Sequence, residues 1–225
     1  MSYKKDFIEF MVRSGVLTFG EFVTKSGRIT PYFINTGNYR TGAQAARLGE
    51  YYAACVQENI KGRIDALFGP AYKGIPLAVA CAIALSERYG RDVNYCFNRK
   101  EAKDHGEGGT MVGYPLKPGD RVVIIEDVIT AGTGIRECLP ILKAAADVEI
   151  AGLIVSADRM ERGQGGLSAI QEIKEEYGID TFPIVTVREI IETLHNHPVD
   201  GKIPVDDAMR GKMESYLKEY GISQK

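Results

Sequence analysis

The feature that most constrains this chain is an apolar segment that ends in two adjacent carboxylates and a turn of threonine and glycine. The stretch reads Arg121-Val-Val-Ile-Ile-Glu-Asp-Val-Ile-Thr-Ala-Gly-Thr-Gly134. Its apolar part has no polar alternation, which predicts a strand buried on both faces, as in a parallel sheet. A helical pattern follows the turn. The turn would therefore present backbone N–H groups at a helix N-terminus, where the dipole favours an anion.

The two acids, Glu126 and Asp127, lie beside this predicted anion site. Carboxylates in contact with a phosphate would repel it, so they fit better against a neutral, hydroxyl-rich part of the same ligand. A ribose 5-phosphate meets both requirements. The alternative is an ordinary strand-to-helix connection in which Thr130 or Thr133 caps the helix and the two acids are exposed.

Length, charge and cysteine spacing exclude several other classes of protein. A chain of 225 residues and 24.7 kDa can form one sizeable α/β domain. A net charge of −2 argues against a surface that binds duplex nucleic acid, because such surfaces are usually basic. Four widely spaced cysteines predict free buried thiols in a reducing compartment. We find no signal-peptide pattern and no apolar stretch of membrane-spanning length, and we expect a cytoplasmic protein.

Strand-like and helix-like segments alternate along most of the chain. Strands are predicted at 65–69, 93–98, 122–127, 150–157 and 181–185, and helices at 3–14, 41–60, 74–89, 132–146, 168–177, 187–195 and within 205–220. This alternation predicts an α/β fold with a central, mainly parallel sheet flanked by helices. Short strands within 16–35 predict a small N-terminal hood, about residues 1–40 of the single domain. Ligands of such sheets bind beyond the carboxyl ends of the strands.

Polar clusters follow other predicted strands. The turn Gly69-Pro-Ala-Tyr-Lys-Gly74 carries one lysine, and alone it is explained as well by a solvated turn as by a ligand site. Arg159 follows the strand at 150–157 and could pair with an anionic group of a substrate.

A basic, glycine-rich segment follows the strand at 93–98. Its possible cations are Arg99, Lys100, Lys103 and His105. Most segments of this kind are solvated loops. A mobile lid over a polyphosphate, about residues 99–113, would have the same composition, because its cations would neutralise a leaving group and its glycines would act as hinges.

These residues together resemble the type I phosphoribosyltransferases. Glu126–Gly134 is similar to that family's signature for 5-phospho-α-D-ribose 1-diphosphate (PRPP), an acidic pair followed by a Thr/Gly phosphate loop. Four further stretches resemble the orotate phosphoribosyltransferases within it, namely Lys25–Asn35, Phe68–Pro76, Phe97–Gly109 and Asp158–Gly163. The resemblance covers nearly the whole chain. Glu126 stands where many members carry aspartate, and the acidic pair itself is preserved.

The resemblance implies an activity and a set of site residues. The activity is the transfer of ribose 5-phosphate from PRPP to orotate, which gives orotidine 5′-phosphate and diphosphate in pyrimidine (UMP) biosynthesis. The residues implied to bind PRPP are Lys25, Tyr72, Lys73, Arg99, Lys100, Lys103, His105, Glu126, Asp127, Val128, Ile129, Thr130, Ala131, Gly132, Thr133 and Gly134. Those implied to contact orotate are Lys25, Phe33, Ile34, Thr130 and Arg159. Lys73, Lys103 and Asp127 are implied to be catalytic.

The resemblance also implies a cofactor and an assembly. Mg²⁺ would be carried by the diphosphate rather than by a protein site, and the protein would be a homodimer. The resemblance implies that lid residues are shared between the two subunits, and the sequence leaves open whether the lid cations act on their own subunit or on the neighbouring one. A purine phosphoribosyltransferase is the nearest alternative, although Lys25 and Arg159 favour an acidic pyrimidine. A PRPP-sensing regulator that binds nucleic acid is the alternative from another class, and the negative net charge argues against it.

Overall fold

The structure is a computed structural model that describes residues 3–24, 27–103, 109–129, 132–163 and 165–222. The helices within these ranges are α1 Tyr3–Arg13, α2 Gly42–Asn59, α3 Gly74–Tyr89, α4 Thr133–Ala145, α5 Ala169–Tyr177, α6 Val187–Leu194 and α7 Asp207–Tyr220. The strands are β1 Leu17–Val23, β2 Ile29–Ile34, β3 Ala66–Gly69, β4 Asn94–Lys103, β5 Gly109–Gly113, β6 Arg121–Ile125, β7 Glu149–Asp158 and β8 Thr181–Thr186. No helix in these ranges combines the length and the apolarity that crossing a membrane requires.

Six strands form the central sheet, in the order β5-β4-β3-β6-β7-β8. β5 runs antiparallel to β4, and the other four neighbouring pairs are parallel. The carboxyl ends of β3, β6 and β7 therefore meet at one edge of the sheet. This architecture confirms the predicted α/β fold with a mainly parallel sheet.

The core explains why the run before Glu126 is continuously apolar. Val123 and Ile125 of β6 pack into the hydrophobic cluster that also holds buried residues of α1, α2, α3, α6 and α7. Val122 and Ile124 point the other way, into a second cluster with α4 and α5. All four side chains are fully buried, and burial of such a side chain stabilises the fold by about 1.5–3 kcal/mol. Helices on both faces thus remove the polar alternation of a half-exposed strand.

The N-terminal strands form a separate two-stranded antiparallel sheet, β1–β2. The C-terminal helix α7 packs against it, with the rings of Tyr32 and Tyr216 edge to face at 6.2 Å between centroids. The hood therefore includes the end of the chain as well as its beginning. The predicted boundary near residue 40 stays a prediction.

Parts of the basic segment are strands, because β4 extends beyond the predicted strand end at residue 98 and β5 follows it. β4 continues to Lys103 and β5 starts at Gly109, and their backbones pair at Asn98↔Met111 and Lys103↔Gly109. This pairing uses backbone groups and needs no apolar side chains at regular positions, so the sequence shows no apolar period there. Residues 104–108, which include His105, lie outside the described part of the chain.

The helices that support the strand ends have identifiable sequence determinants. Thr41 caps α2 in a reciprocal pair with Gln44. α2 and α3 then approach closely at Gly49, where a Cβ atom would lie 2.4 Å from the Ala80 carbonyl oxygen. Only glycine allows this approach, which brings the start of α3 against the end of β6.

Candidate active site

The acidic pair lies immediately beyond β6. The Glu126 N–H donates to the Ile154 carbonyl at 3.0 Å, and Val128 forms a parallel bridge with Ala157. The segment therefore continues alongside β7 after β6 has ended. This pairing fixes both acids at the carboxyl edge of the sheet, where ligands of parallel sheets bind.

Asp127 receives hydrogen bonds from three parts of the chain. Its Oδ2 accepts from the Thr36 hydroxyl and from the Lys73 ammonium, each at 2.8 Å. Its Oδ1 accepts from the Val128 N–H at 2.7 Å. Lys73 Nζ also lies 3.1 Å from Thr36 Oγ1. The Asp127 side chain is 15% exposed and that of Lys73 is 63% exposed, so the pair joins a half-buried acid to a cation at the surface.

The two neighbouring carboxyls have opposite pKa shifts. Burial is the main cause that raises the pKa of Glu126 to about 7, and the adjacent negative Asp127 adds to this shift. Burial alone would also raise the pKa of Asp127. Hydrogen bonds from Lys73, Thr36 and the backbone outweigh it and hold that pKa below its ordinary value. Asp127 is therefore ionised at neutral pH, and Glu126 gives up its proton less readily than an exposed glutamate does.

Two further hydroxyl groups hold the backbone of the acidic pair. The Tyr52 hydroxyl of α2 donates to the Glu126 carbonyl at 2.8 Å. The Ser156 hydroxyl of β7 donates to the Asp127 carbonyl at 2.5 Å, and the Ser156 N–H donates to the same oxygen at 2.8 Å. The position of both acids is thus fixed through the main chain as well as through their side chains.

The predicted phosphate turn leads into α4. Ile129 is buried in the core on the α4 side of the sheet, and Gly132 has the left-handed conformation with φ +69° at the start of the helix. Thr133 and Gly134 open the first helical turn and are exposed. A Cβ at Gly134 would lie 3.6 Å from Glu126 Oε2, so the first acid lies against this turn. Thr130 and Ala131 lie outside the described residues.

The turn after β3 presents Tyr72 and Lys73. A Cβ on Gly69 would lie 2.3 Å from the Gly74 carbonyl oxygen, so the two ends of the turn can meet only without side chains. The Ala71 N–H donates to the Asn98 side chain of β4 at 2.9 Å. Tyr72 is 70% exposed. The turn is therefore anchored at its base and open at its tip.

The cations of the predicted lid begin on β4. Lys100 Nζ lies 3.7 Å from Glu137 Oε2 on α4, and Arg99 precedes it on the same strand. Lys103 is the last residue of β4, and its side chain, like Lys25 and His105, lies outside what the structure describes. β4 and β5 form the outer edge of the sheet, with β3 between β4 and β6.

Arg159 lies beyond β7, beneath the hood. Its side chain is 11% exposed and pairs with Glu161, with Nη2 2.6 Å from Oε1. Its guanidinium lies 4.5 Å from the centroid of the Tyr32 ring of β2. Phe33 is partly exposed and contacts the Phe22 ring at 5.5 Å between centroids. Ile34 packs at the margin of the core.

The chemistry of these groups suits a hydrated divalent cation. Within the described residues, no three His, Cys, Asp or Glu side chains converge to hold a metal ion. Glu126 and Asp127 offer carboxylate oxygens, and Mg²⁺ commonly binds one or two such groups together with water and substrate phosphates. The site therefore fits Mg²⁺ that arrives with a phosphorylated substrate.

Comparison with known proteins identifies the family. The profile of the phosphoribosyl transferase domain matches residues 35–177. Curated orotate phosphoribosyltransferases of Lachnoclostridium phytofermentans and Clostridium beijerinckii are 56% and 57% identical over 220 residues, which cover 98% of this chain and 98% of each relative. The chain belongs to the orotate phosphoribosyltransferase family. The crystal structure of the orotate phosphoribosyltransferase of Francisella tularensis has a TM-score of 0.82 at 39% identity and covers 96% of this chain and 99% of that one.

The roles of several residues in this site were not predicted from the sequence of this orotate phosphoribosyltransferase family member. Thr36 contacts Asp127 across 91 positions of sequence, and Tyr52 contacts Glu126 across 74. Asn98 and Ser156 lie in or beside stretches that the sequence singled out, but no role was predicted for either. In the sequence, these four residues resemble ordinary members of the helices, strands and turns around them. No local pattern therefore predicts their role in the site.

Proposed function

We propose that this member of the orotate phosphoribosyltransferase family transfers ribose 5-phosphate from PRPP to orotate, giving orotidine 5′-phosphate and diphosphate. The observation that carries the proposal is the position of Glu126 and Asp127, which lie at the carboxyl end of β6 directly before the N-terminal turn of α4. One edge of the sheet thus offers acceptors for sugar hydroxyls beside donors for a phosphate. The product would enter UMP biosynthesis.

The acidic pair and the turn after it would bind the ribose 5-phosphate part. Asp127 is ionised because of its three hydrogen bonds, and with Glu126 it would accept from the 2- and 3-hydroxyls, directly or through Mg²⁺. The 5-phosphate would bind residues 130–134 at the start of α4, where backbone N–H groups and the helix dipole favour an anion.

The diphosphate would leave toward a set of cations. The bond between ribose C1 and the diphosphate oxygen would break ahead of formation of the bond between C1 and orotate N1, with inversion at C1. The bonding electron pair would leave with the diphosphate, and the proton on orotate N1 would pass to the diphosphate. Mg²⁺ on the diphosphate would neutralise part of the developing charge. Tyr72 and Lys73 lie on the open turn beside Asp127, and Arg99, Lys100, Lys103 and His105 of the lid would supply further positive charge. A closed lid would also exclude water from the activated sugar.

Orotate would bind between the hood and the end of β7. Arg159 Nε and Nη2 contact Glu161, and Nη2 also lies 3.4 Å from Thr30 Oγ1. The guanidinium would offer a further N–H group to the orotate carboxylate or a ring carbonyl. Phe33 and Ile34 would cover the ring, and Lys25 and Thr130 would add polar contacts. A neutral purine has no carboxylate for Arg159, which favours orotate over hypoxanthine or adenine.

The protein would act as a cytoplasmic homodimer. All four cysteines are free and buried, which suits a reducing compartment. Ile83 of the apolar helix α3 is half-exposed. A second copy of the protein could cover this side chain. The lid hairpin at the outer edge of the sheet suggests that its cations serve the neighbouring subunit.

A spectrophotometric assay tests the proposed activity. Purified protein with PRPP and Mg²⁺ is offered orotate, hypoxanthine or adenine in parallel. We expect consumption of orotate alone. Consumption of a purine instead would indicate a purine phosphoribosyltransferase. An absence of turnover, together with tight binding of RNA or DNA at physiological salt, would favour a PRPP-sensing regulator.

A further inference from the structure

Thr36, a residue outside the signature Glu126–Gly134, contacts Asp127. Thr36 begins a short 3-10 turn, Thr36–Asn38, between the hood and α2. The Asn35 N–H donates to the Val16 carbonyl at 2.8 Å, and the Asn38 amide donates to the Gly15 carbonyl at 2.7 Å. These bonds anchor the turn to the hood, so Thr36 has a fixed position above the end of β6.

The direction of each hydrogen bond around Thr36 follows from the groups present. An ammonium has only donors, so the Thr36 oxygen accepts from Lys73 at 3.1 Å. An ionised carboxylate has only acceptors, so the single hydroxyl proton of Thr36 goes to Asp127 Oδ2 at 2.8 Å. Asp127 Oδ2 therefore has two side-chain donors, one on a long exposed side chain and one on a short anchored one.

These two donors differ in what happens to them when substrate binds. Lys73 is 63% exposed, and in the proposed function it turns to the diphosphate. Asp127 is only 15% exposed, so a lost partner is not simply replaced by water. Thr36 would then be the side chain that still donates to Oδ2, while the Val128 N–H holds Oδ1.

We propose that Thr36 is a positioning residue, which holds the Asp127 carboxylate in the orientation that binds the ribose hydroxyls when Lys73 moves to the diphosphate. This inference rests on the proposed function and adds to it a residue from the junction of hood and sheet. It also couples the hood, which would hold the base, to the acid that would hold the sugar.

The test compares Thr36→Val, which removes the hydroxyl and keeps the shape, with Thr36→Ser, which keeps the hydroxyl. Calorimetric titration with PRPP and Mg²⁺ in the absence of orotate gives Kd, and steady-state rates give KM for each substrate. We expect Thr36→Val to raise Kd and KM for PRPP about tenfold, as loss of one hydrogen bond to a charged group commonly does. KM for orotate should change less than twofold, and Thr36→Ser should match the wild type.

Thr181→Val is the matched control. The Thr181 hydroxyl is buried and makes no hydrogen bond within the described residues, and Thr181 begins β8, at the opposite end of the sheet from Asp127. The Thr181→Val variant should have the wild-type Kd for PRPP and the wild-type KM for both substrates. If Thr36→Val is poorly folded, Thr36→Ala is measured in its place with the same expectation.

Two results would overturn the inference: wild-type affinity for PRPP in Thr36→Val, or a Thr36→Ser protein as weak as Thr36→Val. Because the calorimetric measurement needs no orotate, it is independent of the reaction. A wild-type protein that binds PRPP but does not turn over orotate would contradict the proposed function and leave the role of Thr36 to be decided by binding alone.

Discussion

Adjacent residues of the same chemical kind acquire different properties in this site. Glu126 and Asp127 are neighbours in sequence, and both are largely buried. Asp127 reaches Lys73 and Thr36, which stabilise its charge. Glu126 accepts the N–H of Asp127 at 2.8 Å, and burial outweighs that single bond. The partners of each side chain, rather than its type, decide which acid is ionised at neutral pH.

The raised pKa of Glu126 predicts a pH-dependent stability. The unfolded chain would ionise Glu126 near pH 4.5, whereas the folded protein keeps the proton until about pH 7. The stabilisation is therefore present below pH 4.5 and lost as the pH rises through 7. Glu126→Gln lacks this titration. Urea unfolding should show the wild type losing about 2 kcal/mol relative to Glu126→Gln between pH 5 and pH 8. A constant difference across this range would contradict the assigned shift.

The lid lysine gives a second prediction for a single residue. Replacement of Lys103 by alanine should lower kcat on the order of 100-fold, because one positioned donor to a developing negative charge commonly contributes this much. Lys143→Ala, at the far end of α4, serves as a surface-lysine control and should retain wild-type kcat in the orotate assay. Unchanged turnover in Lys103→Ala would remove the lid from the mechanism.

At the scale of elements, the site depends on how closely helices and turns approach the strand ends. α2 carries Tyr52 and α3 begins directly after Lys73, so their spacing sets the distance from both to the acidic pair. Gly49 of α2 lies against the Ala80 carbonyl of α3, and an added Cβ would lie 2.4 Å from that oxygen. Because the contacted atom belongs to the backbone of α3, an added side chain at Gly49 would force one of the two helices to move.

A pair of helical glycines tests this packing. Gly49→Ala should lower the free energy of unfolding by about 1–3 kcal/mol, as overpacking in a well-packed core does. Gly211→Ala in α7 should raise it by up to about 1 kcal/mol, because nothing lies within 4 Å of the added methyl and alanine is the better helix former. Denaturant unfolding of both variants measures the two signs. A neutral Gly49→Ala would show that the helices can separate freely.

At the scale of the whole molecule, the cations of the proposed lid and the two acids come from different regions of the sheet. Glu126 and Asp127 follow β6 in its interior, whereas the lid hairpin β4–β5 forms its outer edge. An edge hairpin can extend to a neighbouring copy, while the acids remain beneath their own hood.

Subunit mixing tests this arrangement. Lys103→Ala and Asp127→Asn subunits should each be nearly inactive alone. When the two are unfolded and refolded together, random pairing should restore about a quarter of the wild-type activity, because half of the dimers would contain one complete site of two. Refolded Lys103→Ala and Asp127→Asn proteins kept separate are the control. An absence of recovery would mean that each lid serves its own subunit.

The local sequence determined the order of the elements and the apolar character of β6. The run Val122–Ile125 predicted a strand buried on both faces, and the structure confirms it with a core cluster on either side. These features could be read because helix, strand and cap preferences depend on residues only a few positions apart.

The tertiary structure decided the rest. β4 and β5 are joined by backbone pairing, which leaves no periodic pattern of apolar residues in the sequence. The hood includes α7, which lies far from β1 and β2 in the sequence. Thr36 reaches Asp127 only because folding brings together positions 91 residues apart. Sequence by itself therefore determined which groups are available at the strand ends. Their partners, and so their charge, were decided by long-range packing, which no local pattern records.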